Sequence, residues 1–159
     1  MLTKTEEADI KHDNTPLHLL HRAGQCADEL FAKNIGDGDV TPRQYEVLKA
    51  IDQSDEPSQT QLVAKTGIDR STLADIVRRL VQRGLVQRQR TRRDARTYAV
   101  RLSDQGVVAL NNTKPSVDAT NTAILAAVPD ADREVFLNSL NRIVETLEAR
   151  TETKPKSKG

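Results

Sequence analysis

The chain has 159 residues, of which 36% are hydrophobic and 30% charged, with a formal net charge of +1. This length suits one domain with its own core, and the composition is typical of a soluble, helix-rich protein. Since the sequence shows neither a secretory leader nor an apolar run of about 18 residues, we expect a cytoplasmic protein without a membrane segment.

A threonine followed by a proline marks the start of the first predicted helix. Thr15 suits the N-cap and Pro16 the first helical position, and the helix should end near Gly36. We expect residues 1–14 and 151–159 to be flexible tails. Apolar and small residues recur along the helix at steps of three and four, which predicts one continuous seam of Leu17, Leu20, Gly24, Ala27 and Phe31.

The same signal opens the second predicted helix. Thr41 precedes Pro42, and Gln44 completes a capping box. The expected buried stripe of this helix is Tyr45, Leu48 and Ile51.

Two shorter helices follow, joined by a tight turn. Ser58 and Gln61 form a second capping box, which predicts a short third helix ending at Gly67. Asp69 caps a fourth helix that ends near Gly84. The fourth helix should bury Leu73, Ile76, Val77 and Leu80. Together the pair predicts a helix-turn-helix.

Strand-like runs at residues 85–90 and 97–102 flank the polar segment 91–95, which predicts a β-hairpin. In the second run the side chains alternate with a period of two, so that Tyr98, Val100 and Leu102 share one face.

A long helical stretch closes the predicted fold. Ser103 caps it, it extends to about Val128, and Pro115 should kink or break it. Pro129 separates it from a last helix with the apolar stripe Phe136, Leu140, Ile143 and Leu147. The predicted fold is therefore mainly α with a small β-hairpin wing, in the order α-α-α-α-β-β-α-α.

Positive charge is concentrated around the fourth helix and the hairpin. Residues 70–101 contain ten arginines, no lysine and two acids, which gives this segment a charge of +8 and leaves about −7 for the rest. Such a block favours a polyanionic partner over a set of scattered, solvated arginines. With two Phe, two Tyr and no Trp, the chain lacks the stacking platforms of single-strand binders, so duplex DNA is the expected partner.

The fourth helix should read bases in the major groove through its first exposed residues, and its later arginines should contact phosphate. The wing tip suits a narrow minor groove, and Asp94 either holds Arg96 in its working orientation or forms the turn. The predicted DNA-binding residues are Arg70, Ser71, Thr72, Asp75, Arg78, Arg79, Arg90, Arg92, Arg93, Asp94 and Arg96.

These motifs resemble the multiple-antibiotic-resistance regulator (MarR) family over about residues 15–150. The wing Asp94-x-Arg96, followed by Leu102-Ser-x-x-Gly106, carries most of the resemblance. It implies a homodimer whose first and last helices interlock, and which binds pseudo-palindromic operators and usually represses. It also implies that Arg96 enters the minor groove and that Asp94 orients it.

The apolar seams at both ends of the chain independently favour a homodimer over burial within one chain. We assign residues 15–36 and 103–150 to dimerisation and residues 41–102 to DNA binding. The residues expected to dimerise are Leu17, Leu20, Phe136, Leu140, Ile143 and Leu147.

The family resemblance further implies a small aromatic or acyl-CoA-type effector in a cleft between these two parts. The cleft would be lined by Leu20, His21, Gly24, Tyr45, Leu48 and Asn111. For His21 an ordinary interface role is the competing interpretation, and a zinc site with His18 is disfavoured because no third ligand is close in sequence. For Cys26 we expect buried packing rather than redox sensing.

No catalytic motif or cofactor-binding loop is recognisable, so we predict a transcription regulator that is not an enzyme and uses no cofactor. Two alternatives stay open. One is a redox-sensing regulator that uses Cys26, and the other is an architectural or protein-interaction module without an effector.

Overall fold

The computed structural model describes residues 14–35, 40–92, 94, 96 and 98–152. They fall into two compact units, and the division lies within one helix, between Asp118 and Ala119. The elements are α1 (Pro16–Asn34), α2 (Pro42–Asp52), α3 (Gln59–Thr66), α4 (Arg70–Gln82), β1 (Val86–Arg90), β2 (Tyr98–Leu102), α5 (Asp104–Ala126), a 3-10 turn (Asp130–Asp132) and α6 (Arg133–Glu152). The predicted fold class and element order are confirmed, with the 3-10 turn as an addition.

Both predicted capping boxes form. The backbone N–H of Gln44 donates to Thr41 Oγ1 at 3.2 Å, while the Thr41 N–H donates to Gln44 Oε1 at 3.1 Å. Ser58 and Gln61 exchange the equivalent bonds at 3.2 and 2.8 Å. Each box satisfies N–H groups that a helix start otherwise leaves without a partner.

The core of the first unit lies between α2, α3, α4 and the hairpin. The predicted buried stripes of α2 and α4 are confirmed, and further side chains from the turns and strands complete the cluster. Its fully or almost fully buried members include Val40, Val47, Leu48, Leu62, Ile68, Leu73, Val77, Leu80, Val86 and Val100. This packing fixes the direction in which α4 presents its opposite face.

The seam of α1 is largely uncovered within the single chain. Phe31 is buried, but Leu17 is 67% exposed and Leu20 is 41% exposed. The helix ends at Asn34, and Gly36, where we expected the end, lies outside the described residues.

The hairpin is antiparallel, with Val86 opposite Leu102 and Arg90 opposite Tyr98. The first strand begins at Val86 rather than at residue 85, and Thr97 lies outside the described residues.

The predicted alternation of the second strand does not divide it into one buried and one exposed face. Tyr98 is 57% exposed, and Ala99 is fully buried. The turn between α2 and α3 covers the Ala99 face of the hairpin: Gln89, which pairs with Ala99, donates to Glu56 at 3.2 Å, and the carbonyl of Pro57 accepts a bond from β2. Tyr98 lies beyond the core, at the wing end of the strand.

The predicted break at Pro115 is wrong, because α5 is continuous from Asp104 to Ala126. A proline removes one intrahelical bond and frees the carbonyl four residues earlier, here that of Asn111. Both residues are exposed, so water can solvate that carbonyl. Eleven helical residues on each side hold the helix together across the gap.

In the second unit, α6 extends to Glu152 and so includes the first two residues of the predicted tail, 151–159. Residues 1–13 and 153–159 lie outside the described residues. Arg133 joins the end of α5 to the start of α6, since its Nε donates to the carbonyls of Leu125 and Val128 at 2.9 and 3.2 Å. It also pairs with Asp130 at 2.7 Å.

The start of α5 is bonded to the turn between α4 and β1. Ser103 Oγ donates to the Gly84 carbonyl at 2.5 Å, and the Ser103 N–H donates to the Leu85 carbonyl at 3.0 Å. Gly106 packs so closely here that a Cβ on it would lie 2.0 Å from the Leu85 oxygen. Only glycine allows this approach of two backbones.

Across the parts of the chain that the structure describes, none of the helices has the length and apolar character needed to cross a membrane.

Candidate nucleic-acid interface

The turn between α3 and α4 sets the start of the candidate recognition helix. Gly67 ends α3 in the left-handed region with φ of +69°, and Ile68 is buried beside it. Asp69 then caps α4, since its Oδ1 accepts the N–H of Thr72 at 2.9 Å. The hydrogen bonds from Thr72 lower the pKa of Asp69 below its usual value.

The face of α4 that points away from the core carries the predicted DNA-binding residues. Because the apolar stripe of α4 is buried, the opposite face is fixed outward. Asp75 is partly exposed there, and the exposed members are Arg70, Ser71, Thr72, Arg78 and Arg79.

Asp75 lies between two arginines of its own helix. Its Oδ1 accepts a short bond from Arg78 Nη2, and its Oδ2 pairs with Arg79 Nε at 2.8 Å. The bond from Arg78, with the charge of Arg79, holds the pKa of Asp75 below its usual value. We predicted Asp75 as a DNA-binding residue from the sequence, and that role stays a prediction. The i, i+3 and i, i+4 spacing of the three residues is the sequence signal for their pairing.

The wing presents further arginines to solvent. The guanidinium of Arg90 lies 5.9 Å from the ring centre of Tyr98, within the range of a cation–π contact. Arg92 is 92% exposed at its side chain, and its Nε is 3.7 Å from Glu56. Arg96 is exposed as well, whereas Arg93 lies outside the described residues.

Asp94 bonds the backbone of the wing tip. Its Oδ1 accepts the N–H of Arg96 at 2.9 Å, and its own N–H and carbonyl bond Thr91 Oγ1 at 3.0 and 2.7 Å. These are the bonds of a turn-forming aspartate. They fix the backbone from which the Arg96 side chain departs.

A cleft of about 320 Å³ lies between the wing and the start of α3. It brings Arg96 together with Arg88 and Tyr98, two residues absent from the predicted set. The alternation of β1 could have identified Arg88. It lies on the same face of the strand as the predicted Arg90, while Gln87 and Gln89 lie on the other face. The remaining residues that line the cleft are Ser58, Gln59, Thr60 and Val100.

The predicted effector residues divide into two groups by burial. Tyr45 and Leu48 belong to the core, with exposures of 7% and 0%. The other four are exposed in the single chain: Leu20, His21, Gly24 and Asn111. Their common lining of a cleft stays a prediction.

The expected burial of Cys26 is wrong for the single chain, because its side chain is exposed on α1. The cysteine lies on the helix whose apolar seam is itself uncovered. Among residues 14–35, 40–92, 94, 96 and 98–152, no group of three or more His, Cys, Asp or Glu side chains is arranged to hold a metal ion.

Comparison with known proteins identifies the family. The MarR family model matches residues 38–97, which span the helix-turn-helix and the wing. A putative transcriptional regulatory protein for the hcr operon of Thauera aromatica is 30% identical over 125 residues, covering 78% of this chain and 75% of that protein. The chain belongs to the MarR family. It is accordingly a winged-helix, DNA-binding transcription regulator, as the sequence motifs predicted.

Two further MarR-like proteins match over nearly their whole length. The transcriptional repressor NicR of Pseudomonas putida is 28% identical, with 92% of this chain and 97% of NicR covered. The structure of BpsR from Bordetella bronchiseptica, whose DNA binding is regulated by 6-hydroxynicotinic acid, superimposes with a TM-score of 0.76 at 25% identity. That match covers 82% of this chain and 93% of BpsR.

Proposed function

We propose that this MarR-family protein is a ligand-responsive repressor that binds a pseudo-palindromic operator as a homodimer. The observation that carries the proposal is the outward arginine surface of α4 and the wing, in a segment of charge +8. A surface of this charge attracts the phosphate backbone and steers association with DNA.

Within this surface, the first turn of α4 would enter the major groove, where Arg70, Ser71 and Thr72 can reach base edges. Arg78 and Arg79 would contact phosphate and fix the register. The wing arginines, including Arg92 and Arg96, would reach toward the adjacent minor groove.

A homodimer would supply the second recognition helix. The chain has one α4, and a two-fold operator has two half-sites about one helical turn apart. Exposed apolar residues occur on helices of both units, which supports coverage by a second copy. They include Leu17 and Leu20 of α1, and Ile143 and Leu147 of α6. Phe136 and Leu140 of α6 are partly buried.

We propose a small aromatic or acyl-CoA-type effector that releases the operator. The regulation of BpsR by 6-hydroxynicotinic acid and the designation of NicR as a repressor support this class of ligand and this direction of control. The exposed residues His21 and Asn111 would contribute polar contacts next to the apolar Leu20.

The test is DNA binding by the full chain, measured by fluorescence anisotropy on a duplex from the promoter region beside its gene and on a random duplex. We expect tighter binding to the promoter and affinities that fall steeply with salt. Addition of phenolic acids, a hydroxynicotinate or an aromatic acyl-CoA should release the promoter. Equal affinity for both duplexes would favour the architectural alternative, and salt-independent binding would contradict the arginine surface.

Arg96→Ala tests the wing within the same assay. We expect affinity for the promoter to fall by about 10-fold or more, a loss in the range of one specific base or groove contact. Arg43→Ala, at the exposed start of α2, is the matched control and should leave affinity unchanged. Since both side chains are exposed, neither variant should alter the melting temperature. Unchanged affinity for Arg96→Ala would remove this residue from the interface.

The exposure of Cys26 supports redox sensing as the second candidate for control. Treatment with peroxide should release DNA from the native chain and leave a Cys26→Ser variant bound if this alternative holds. Release by an aromatic acid in both proteins would support the effector instead.

A further inference from the structure

Two arginines of the recognition helix already form ion pairs with a carboxylate of the same helix. Arg78 and Arg79 both bond the carboxylate of Asp75, one on each oxygen. The side chains of the two arginines are nevertheless 54% and 61% exposed, and that of Asp75 is 43% exposed. The cluster therefore lies on the surface where a DNA backbone would approach.

We propose that Asp75 is a specificity-determining residue that occupies Arg78 and Arg79 in place of backbone phosphate, and so lowers the affinity for non-operator DNA. The inference rests on the proposed role of α4 as the recognition helix. A carboxylate offers a guanidinium two acceptor oxygens in a plane, and a phosphate offers a similar pair. Each arginine can thus exchange one anionic partner for the other.

The exchange is feasible because exposed ion pairs are weak and screened by salt. The exchange nevertheless costs free energy, because Asp75 stays beside the two arginines after they have moved to phosphate. Its negative charge then lies beside the negative DNA backbone, where like charges repel. The low pKa of Asp75 keeps this charge present throughout the neutral pH range.

This repulsion lowers the affinity for every DNA sequence. Only some sequences offer Asp75 a new hydrogen bond that offsets it. A carboxylate in the major groove can accept a hydrogen bond from the amino group of cytosine. Only a site that places such a donor next to Asp75 returns the lost interaction. The carboxylate therefore widens the ratio between operator and random-sequence affinity.

The experiment compares full-length Asp75→Asn with the native chain on a random duplex of about 30 base pairs, by fluorescence anisotropy at several salt concentrations. We expect tighter binding by the variant and a plot of log K against log salt that is steeper by about 0.9, one additional phosphate contact. The advantage of the variant should then grow about 3.5-fold between 200 and 50 mM salt. On the promoter duplex the gain should be smaller.

Two variants separate this role from a change in net charge. Asp118→Asn makes the same change of charge on α5, where Asp118 pairs with Lys114 at 2.6 Å in another exposed i, i+4 bridge. It should leave the salt slope unchanged. Asp75→Glu keeps a carboxylate within reach of both arginines and should restore the native slope.

A salt slope for Asp75→Asn equal to that of the native chain, or to that of Asp118→Asn, would overturn the inference. Circular dichroism establishes that each variant is folded before its affinity is compared. If the native chain binds neither duplex in a salt-dependent way, the proposed function and this inference both fail. A native chain that binds with an unaltered Asp75→Asn slope refutes the inference alone.

Discussion

At the scale of single residues, the cap of α4 links the interface to acid stability. Asp69 accepts the N–H of Thr72, and this bonding lowers its pKa below 3.8, the value it has in an unfolded chain. A group whose folded pKa is depressed contributes stability above its unfolded pKa and loses it as the pH falls through the folded value. The contribution of Asp69 is therefore complete at neutral pH, begins to fall near pH 3.8, and is lost once the pH is below the folded pKa.

The corresponding prediction concerns Asp69→Ser. Serine keeps an acceptor at the N-cap and removes the titrating group. We expect a melting temperature near the native one at pH 7 and a shallower decline between pH 5 and pH 2, followed by circular dichroism. A decline as steep as that of the native chain would show that other carboxylates account for the acid sensitivity.

Residue-level predictions from the sequence succeed where the partner is local. The capping pairs at Thr41 and Ser58 need only a spacing of three residues, and both form as expected. Asp75 shows the limit, because a carboxylate that can read a base can also bond a neighbouring arginine. Which of the two Asp75 bonds depends on whether DNA is present, and the same sequence pattern is compatible with either partner.

At the scale of elements, helix bounds follow from the caps and the apolar period, since both act within a few residues. The strands are harder to assign to a face. Ala99 is buried because the turn holding Glu56 and Pro57, about 40 residues earlier in the chain, packs against the hairpin. Pro115 shows the converse, because α5 is long enough on both sides to tolerate a lost bond.

Gly106→Ala tests how closely α5 meets the turn before β1. A Cβ at this position would lie 2.0 Å from the Leu85 carbonyl oxygen, so one of the two backbones must move. We expect the free energy of unfolding to fall by about 2–3 kcal/mol or more, as in other overpacked sites. Thermal denaturation should show a loss of roughly 5–10 °C.

The control for this variant lies in the same helical turn. Gln105→Ala changes an exposed residue and should alter the melting temperature little, since alanine favours helix. If both variants melt at the native temperature, the close approach of Gly106 to Leu85 does not contribute to the free energy of unfolding.

At the scale of the whole molecule, the uncovered apolar residues are the feature that a single chain does not account for. Leu147 is 51% exposed and Ile143 is 39% exposed on α6, while Leu17 is 67% exposed on α1. The sequence predicted apolar stripes here from periodicity alone. Periodicity cannot identify the partner that covers a stripe, because a stripe within one chain and a stripe between two chains have the same spacing.

Leu147→Asp tests the proposed dimer. A charge in an apolar contact between copies is costly to bury, so we expect monomers in sedimentation-velocity runs at micromolar concentration. Promoter affinity should fall by at least about 100-fold when one of two recognition helices is lost, as expected when the second contact is no longer intramolecular. Weak binding to random DNA should remain.

Gln53→Asp introduces the same charge at the exposed end of α2 and should remain dimeric. A Leu147→Asp variant that also stays dimeric would place the interface elsewhere.

The junction of Ser103 and Gly106 with the turn at Gly84 and Leu85 has a mechanical consequence. The hydrogen bonds of this junction join backbone to backbone, or pass through the short side chain of Ser103. They therefore allow little relative movement of the start of α5, the end of α4 and β1. A tilt of α5 at this point would therefore move the recognition helix α4 and the wing together. In the proposed homodimer, a ligand that tilts the start of α5 by a few degrees would therefore move α4 and the wing of each copy together, and would change the distance between the two recognition helices.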